Sequence, residues 1–327
     1  MATKKTSLNE FSLGGSVVVV GSINIDLTSF SLRLPGPGET VVGDDFELVL
    51  GGKGANQAIA SVLAGGRSHL VGCIGSDSLS AVASDSLRNY GVDTRFVNSV
   101  QGSTGIAHIR VEKSGENNIV VVPFANSEVS EAQIDEAFDC LPNARVLMLQ
   151  LEIPWTTTMY AITKGRAAGL TIILDPAPAL SLDSSAWRLI DIVTPNESEA
   201  ELLTGIRVFD PASAAHAGQW FVKQGVKHAL ITRGASGVVH VSDKGTEVFH
   251  SPLVKVVDTT AAGDAFAGYL AARIADDYSL ENAIKQAVLA GALAVTEAGA
   301  SKSLPNKKQV QNFERRLIRS SSVSKTT

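Results

Sequence analysis

The chain has 327 residues, enough to bury a sizeable core as one large α/β domain or two ordinary ones without staples. Hydrophobic residues at 44% and charged residues at 19% exclude a disordered chain, and a net charge of −5 argues against nucleic acid as the main partner. Two isolated cysteines in apolar contexts, Cys73 and Cys140, read as core thiols of a reducing compartment.

In chain order, residues 1–14 lack the apolar stretch of a secretory signal and read as an N-terminal tail. VVVVG at 17–21 is a short apolar run closed by glycine, which predicts a buried strand. The same signature returns in HLVGCIG (69–75), RVLMLQL (145–151), TIILD (171–175), DIVTP (191–195) and HALIT (228–232). Helical patterns stand between these runs: after Gly52, over 78–90, and after Pro154, Asn196 and Pro211. The alternation predicts an α/β fold, a mostly parallel central sheet with helices on both faces. Two segments break it. Residues 25–50 hold PGPG and strand-like runs, and 104–122 read as two strands around a KSGEN turn. Both are antiparallel in character. They are expected to join as one small β-sheet, over about 24–50 and 102–124, able to cover a site as a lid. EVFHSPLV at 247–254 reads as a strand, followed by helices over 261–274, 280–296 and 306–318 and a disordered tail at 319–327. A single domain over 15–318 is expected, since no linker divides the chain. No apolar run is long enough to span a bilayer, so the expectation is a cytoplasmic protein without a membrane partner.

VDTTAAGDAFAG (257–268) places one carboxylate, Asp264, at the mouth of an apolar helix behind residues too small to cover it. N–H groups at a helix N-terminus lack intrahelical partners, and the helix dipole adds positive charge there. Ala261, Ala262 and Gly263 leave those groups open to a phosphate. Asp264 would then stand beside it, ready to take a proton from an attacking hydroxyl. That combination suits phosphoryl transfer, although a plain acid complementing the dipole fits the same stretch. GGKGANQ (51–57) follows a strand-like run and opens a helix. It is a second candidate anion or hydroxyl site, or a close helix–sheet contact. It is not a P-loop, because Gly54 follows Lys53 and Glu47 occupies the upstream glycine position. GSIN after the first strand lacks the continuation of a dinucleotide fingerprint. Polar residues also follow four strand ends: Asn24 and Asp26, Glu152, Asn196 and Glu199, Thr232 and Gly234. Ligands of open α/β sheets lie outside the carboxyl ends of the strands, but each such residue alone is commonly a cap or a turn. The histidines show no metal-ligand spacing.

VVGSINID, PGPGET, GGKGANQA, GENNIVVVPFAN, QLEIP, LDPAP, TPNESEAELLTG, ITRGASGVV, VDTTAAGDAFAG and AVTEAGASKSLP follow one another over 17–305. In this order they resemble the ribokinase family of carbohydrate kinases. The resemblance implies a three-layer α/β sandwich with a β lid, and ATP-dependent phosphorylation of D-ribose at O5. Asp264 would be the general base, a task that contributes ~10²–10⁴ in rate, and the amides of Ala261, Ala262 and Gly263 the anion hole. Asn24, Ile25, Asp26, Gly52, Lys53, Gly54, Ala55, Asn56 and Glu152 would hold the sugar. Asn196 would lie near the phosphates, and Glu199 would hold Mg²⁺ through water. Thr232, Arg233, Gly234, Ala235, Ser236 and Gly237 would cradle the nucleotide, with Val288 near the adenine. An activating K⁺ would sit among Asp258, Thr260, Ala294, Glu297, Gly299 and Ser303. The family resemblance further implies a homodimer formed through the lid. Three residues depart from the family pattern. Ala261 and Phe124 stand where glycine is usual, and Val288 where Asn or His is common. The alanine is expected to exclude unusual backbone angles at 261. Deoxyribose, a nucleoside or a hexose remains an alternative substrate, and a non-catalytic sugar-binding regulator an alternative role.

Overall fold

Val17 and Val19 face one apolar cluster and Val18 and Val20 the other, so β1 (Ser16–Val20) is buried on both sides. The computed structural model describes residues 14–323; the expected N-terminal tail, Gly14 apart, and residues 324–327 lie outside the described residues. After β1 come β2 (Asn24–Ser31), β3 (Gly43–Gly51), α1 (Lys53–Leu63), β4 (Arg67–Ile74), α2 (Ser78–Asn89) and β5 (Asp93–Ser99). β6 (Gly105–Glu112), β7 (Asn117–Val122), α3 (Glu131–Cys140), β8 (Ala144–Leu149), α4 (Trp155–Ala167) and β9 (Thr171–Leu174) follow. Then come α5 (Ser184–Trp187), β10 (Ile192–Val193), α6 (Glu197–Thr204), α7 (Pro211–Gln224) and β11 (His228–Thr232). The chain closes with β12 (Val238–Ser242), β13 (Gly245–Phe249), α8 (Ala262–Ala275), α9 (Leu280–Ala294) and α10 (Lys307–Val323).

Among the described residues, nine strands form one sheet in the order β13-β12-β11-β10-β9-β8-β1-β4-β5. It is parallel from β11 to β5, and antiparallel only where β12 and β13 join the edge. Helices α1, α2, α8 and α9 cover one face and α3, α4, α6 and α7 the other. This is the layered α/β architecture expected from the alternation of strands and helices. α8 is buried along nearly its whole length because it lies between α1, α9 and strands β1 and β8, which is why its sequence is apolar all round.

Four strands make a second sheet, β3-β2-β6-β7. Its hairpins are antiparallel as expected, but β2 and β6 pair in parallel. Both strands start from the same edge of the large sheet, so they run outward side by side. Other expectations need correction. β13 spans 245–249 rather than 247–254, and the last helix continues to Val323, through the first part of the segment read as a disordered tail. Cys73 is buried, but Cys140 is exposed on the last turn of α3. Helix α3 was not foreseen, although Ser130 and Gln133 form a capping box that is legible as S-x-x-Q.

Candidate active site

The strand order reverses between β1 and β8, because the chain builds outward from β1 to β4 and β5, then from β8 toward β11. A crevice opens outside the carboxyl ends of the strands at such a switch point. Residues following β1, β8, β9, β10 and β11 all end at this edge.

Gly268 lets α8 approach α1 closely: a Cβ there would stand 2.5 Å from both the Ala60 Cβ and the Gln57 carbonyl oxygen. The approach brings two amides of α1 to Asp264 in the first turn of α8. Asn56 Nδ2 donates to Oδ2 at 3.0 Å, and Gln57 Nε2 donates to Oδ1 at 3.0 Å. Gln57 Nε2 also donates to Asp175 Oδ2 at 2.8 Å, and its Oε1 accepts from Gln150 Nε2. Asn56 Oδ1 is buried beside them without a hydrogen-bond partner, an acceptor suited to a ligand hydroxyl.

Ahead of Asp264, Ala261 is the N-cap of α8 with φ 59° and ψ 10°. The alanine therefore adopts the left-handed conformation that its side chain was expected to exclude; a tight turn from Thr259, whose carbonyl accepts the Ala262 N–H at 3.3 Å, imposes it. Gly263 is exposed, and a Cβ on it would meet nothing within 4 Å, so the space before the helix is open.

Gly52 caps α1 at φ 87°, where a Cβ would press on the Asn24 amide nitrogen at 2.7 Å. This glycine lets the GGKG turn lie against β2. Glu152 Oε2 braces the turn, accepting the Ser22 hydroxyl and the Lys53 N–H. Asn24 Oδ1 accepts from Asn126 Nδ2 at 2.7 Å, so Asn24 offers its own NH₂ group to a ligand. Asp26 is buried, and burial first, then the Glu152 and Asp264 carboxylates, push its pKa up to about 7. Lys53 Nζ lies 3.5 Å from Asp175. Burial works against its charge, but Asp175, Asp264, Glu152 and Glu199 outweigh it and raise its pKa above the ordinary value. Asp175 is itself pushed up to about 7 by burial and by Glu199 and Asp264, with Lys53 opposing. Ile25 and Ala55 turn their side chains into the core, leaving their backbones to the crevice side.

Asn196 and Glu199 form a reciprocal capping box at the start of α6, and Asn196 bridges Thr232. Glu199 Oε2 is taken by the Asn196 N–H. Burial raises the Glu199 pKa, against the hydrogen bond from Asn196. Gly234, Ala235 and Ser236 are exposed in a short turn closed by Gly237. Arg233 instead points away, donating to the Phe209 carbonyl at 3.2 Å and lying 3.4 Å from Glu197. Val288 is packed into the core beneath α8. Asp258 ties two loops together: Oδ1 accepts from the Thr260 N–H and hydroxyl, and Oδ2 from the Gly299 N–H. Burial pushes its carboxyl up, but those hydrogen bonds prevail and hold it below the usual range. The Ala294 carbonyl accepts the Glu297 N–H at 3.3 Å, and Ser303 closes a turn on the Ala300 carbonyl.

Sequence reasoning missed Asp175, Gln57, Gln150 and Asn126. Asp175 closes TIILD at the same edge as the named strand ends and could have been found by that rule, and Gln57 ends the GGKGANQ stretch. Nothing local marks Gln150 or Asn126.

A family model described as pfkB family carbohydrate kinase matches residues 15–307. The ribokinase of Haemophilus influenzae is 38% identical over 300 residues, covering 91% of this chain and 98% of that one. A deoxyribokinase of Salmonella typhi is 34% identical over 301 residues, covering 91% and 98%. Among solved structures, a ribokinase of Arabidopsis thaliana complexed with ribose and ATP superposes with a TM-score of 0.86 at 31% identity, covering 91% of this chain and 98% of that one. The chain belongs to the pfkB family of carbohydrate kinases.

Proposed function

We propose that the protein transfers the γ-phosphoryl group of ATP to O5 of D-ribose, with Asp264 as general base. The observation that carries this reading is the placement of Asp264. Two amides hold its carboxylate, and it stands at the open N-terminus of α8 beside the orphaned Asn56 Oδ1. The O5 hydroxyl gives its proton to Asp264 as its oxygen bonds the γ-phosphorus. The bond from that phosphorus to the bridging oxygen breaks, and ADP leaves with the electron pair. Charge on the transferring group is met by the Ala261–Gly263 end of α8, whose dipole points positive toward it. Lys53, kept cationic by its surrounding carboxylates, adds to that field. Asn24, Asp26, Asn56 and the GGKG turn orient the sugar hydroxyls, and the turn from Thr232 to Gly237 receives the nucleotide. Asp264→Asn is expected to keep the fold and ADP binding and to lower kcat by ~10²–10⁴. Near-wild-type turnover would refute the assignment.

Mg²⁺ bound to the ATP phosphates would neutralise their charge. Glu199, with one carboxylate oxygen outside the capping box, suits it as an outer partner through water. K⁺ fits the loop pair joined by Asp258, with its carboxylate and the neighbouring backbone carbonyls of 294–303 as oxygen donors. Replacing K⁺ by Na⁺ in the assay should lower kcat, and equal rates would remove K⁺ from the proposal. A homodimer through the lid is supported by its edge strand β7, where Ile119, Val120 and Val121 are exposed; a monomer at micromolar concentration in light scattering would contradict it. No helix among the described residues is long and apolar enough to cross a membrane. A cytoplasmic location is proposed on the two free thiols, and recovery in another fraction of lysed cells would overturn it. The similarity to a deoxyribokinase favours 2-deoxyribose as the second reading. Measuring kcat/KM for ribose, deoxyribose and a hexose side by side decides between them.

A further inference from the structure

Asp175 is a buried carboxylate that the reaction proposed above uses only to help keep Lys53 cationic. It follows β9, and its Oδ2 accepts one hydrogen of Gln57 Nε2 at 2.8 Å. The other hydrogen of the same nitrogen goes to Asp264 Oδ1 at 3.0 Å. One NH₂ group therefore spans two carboxylates. The Gln57 amide has a single tolerable orientation, because turning it over would set its oxygen against both acids. Gln150 Nε2 donates to that oxygen from the third side, so every polar atom of the Gln57 side chain is engaged. Asp264 is thus gripped on Oδ2 by Asn56, which has no further anchor on its own oxygen, and on Oδ1 by a glutamine that is locked in place.

We propose that Asp175 is a positioning residue for the base, acting through Gln57 to fix the plane of the Asp264 carboxylate. The inference rests on the reading of Asp264 given above. A role confined to stability would look different. Burial pushes the Asp175 pKa up to about 7, with the Lys53 ammonium at 3.5 Å opposing and Glu199 and Asp264 adding to the rise. Loss of a merely structural group would move Tm and leave turnover alone, whereas lost alignment lowers kcat in a folded protein. The link is also serial. The hydrogen bonds run from Asp175 to Asp264 through Gln57, so for this route breaking both links should do no more damage than breaking one.

The test measures kcat, KM for ribose and Tm for Asp175→Asn, Gln57→Leu, the double variant and Asp264→Asn in the full chain. Asp175→Asn is expected to lower kcat at least ~10-fold and leave the ribose KM within ~3-fold, with Tm measured to show that the variant is folded, since loss of alignment acts on the reacting geometry rather than on binding. The double variant is expected to match the slower single one. Asp175→Asn with kcat within twofold of wild type, or a double variant whose loss is the product of the two single losses, overturns the proposal. Should Asp175→Asn fail to fold, Gln57→Leu decides alone by the same kcat criterion. An active Asp264→Asn would instead fell the reading of the base, a separate outcome.

Discussion

Gly268→Ala tests the geometry that brings the base to its partners, from a site away from the crevice. The added Cβ would stand 2.5 Å from the Ala60 Cβ, 2.5 Å from the Gln57 carbonyl oxygen and 3.0 Å from the Ser61 nitrogen. Apolar carbons settle at about 3.5–4.0 Å, so α1 and α8 must separate by about 1 Å. Asn56 and Gln57 move with α1 and Asp264 with α8. The hydrogen bonds between them, both 3.0 Å, would stretch toward about 4 Å, beyond useful length. Overpacking of this kind destabilises by about 1–3 kcal/mol. A misplacement of about 1 Å at the reacting groups lowers turnover by about 10²-fold. The assay is kcat at saturating ATP and ribose, with Tm measured on the same samples. Gly263→Ala is the thermal control, because its Cβ meets nothing within 4 Å. A folded Gly268→Ala protein with wild-type kcat would show that the α1–α8 spacing does not govern the base.

Asp26→Asn should change the pH dependence of stability. The carboxyl is raised from 3.8 to about 7 in the folded protein, so its contribution is fully present below about pH 4 and is lost as pH rises through about 7. At pH 8 the native state must ionise a buried acid, a penalty of about 4 kcal/mol at most. Denaturant melts at pH 4 and pH 8 are expected to show the variant gaining stability only at the higher pH while ribose binding weakens; identical pH slopes for both proteins would refute the assignment. At position 261 the left-handed backbone penalises any Cβ by about 1–2 kcal/mol. Ala261→Gly is expected to leave Tm unchanged or slightly raised, since added chain entropy offsets part of the relief, whereas Ala261→Val should lower Tm and kcat together. A valine variant as stable as wild type would argue against the positive φ.

The amino-acid sequence by itself determined the layers. Runs such as VVVV and TIIL mark strands buried on both faces, and the patterns after Gly52, Pro154 and Pro211 mark the helices between them, because period and apolarity report burial locally. It also determined the two stretches that meet at the crevice, GGKGANQ and DTTAAGDAFAG, since small residues before a helix expose its N-terminus wherever the helix lies. Only the tertiary structure decided that β2 and β6 run in parallel, that Ala261 turns left-handed, and that one Gln57 nitrogen joins Asp175 to Asp264. Apart from Ala261, whose turn closes locally on Thr259, those residues lie far apart in the chain. Whether their polar atoms meet depends on strand register and on how closely α1 crosses α8, and neither leaves a local mark because each is set by the packing of the whole core.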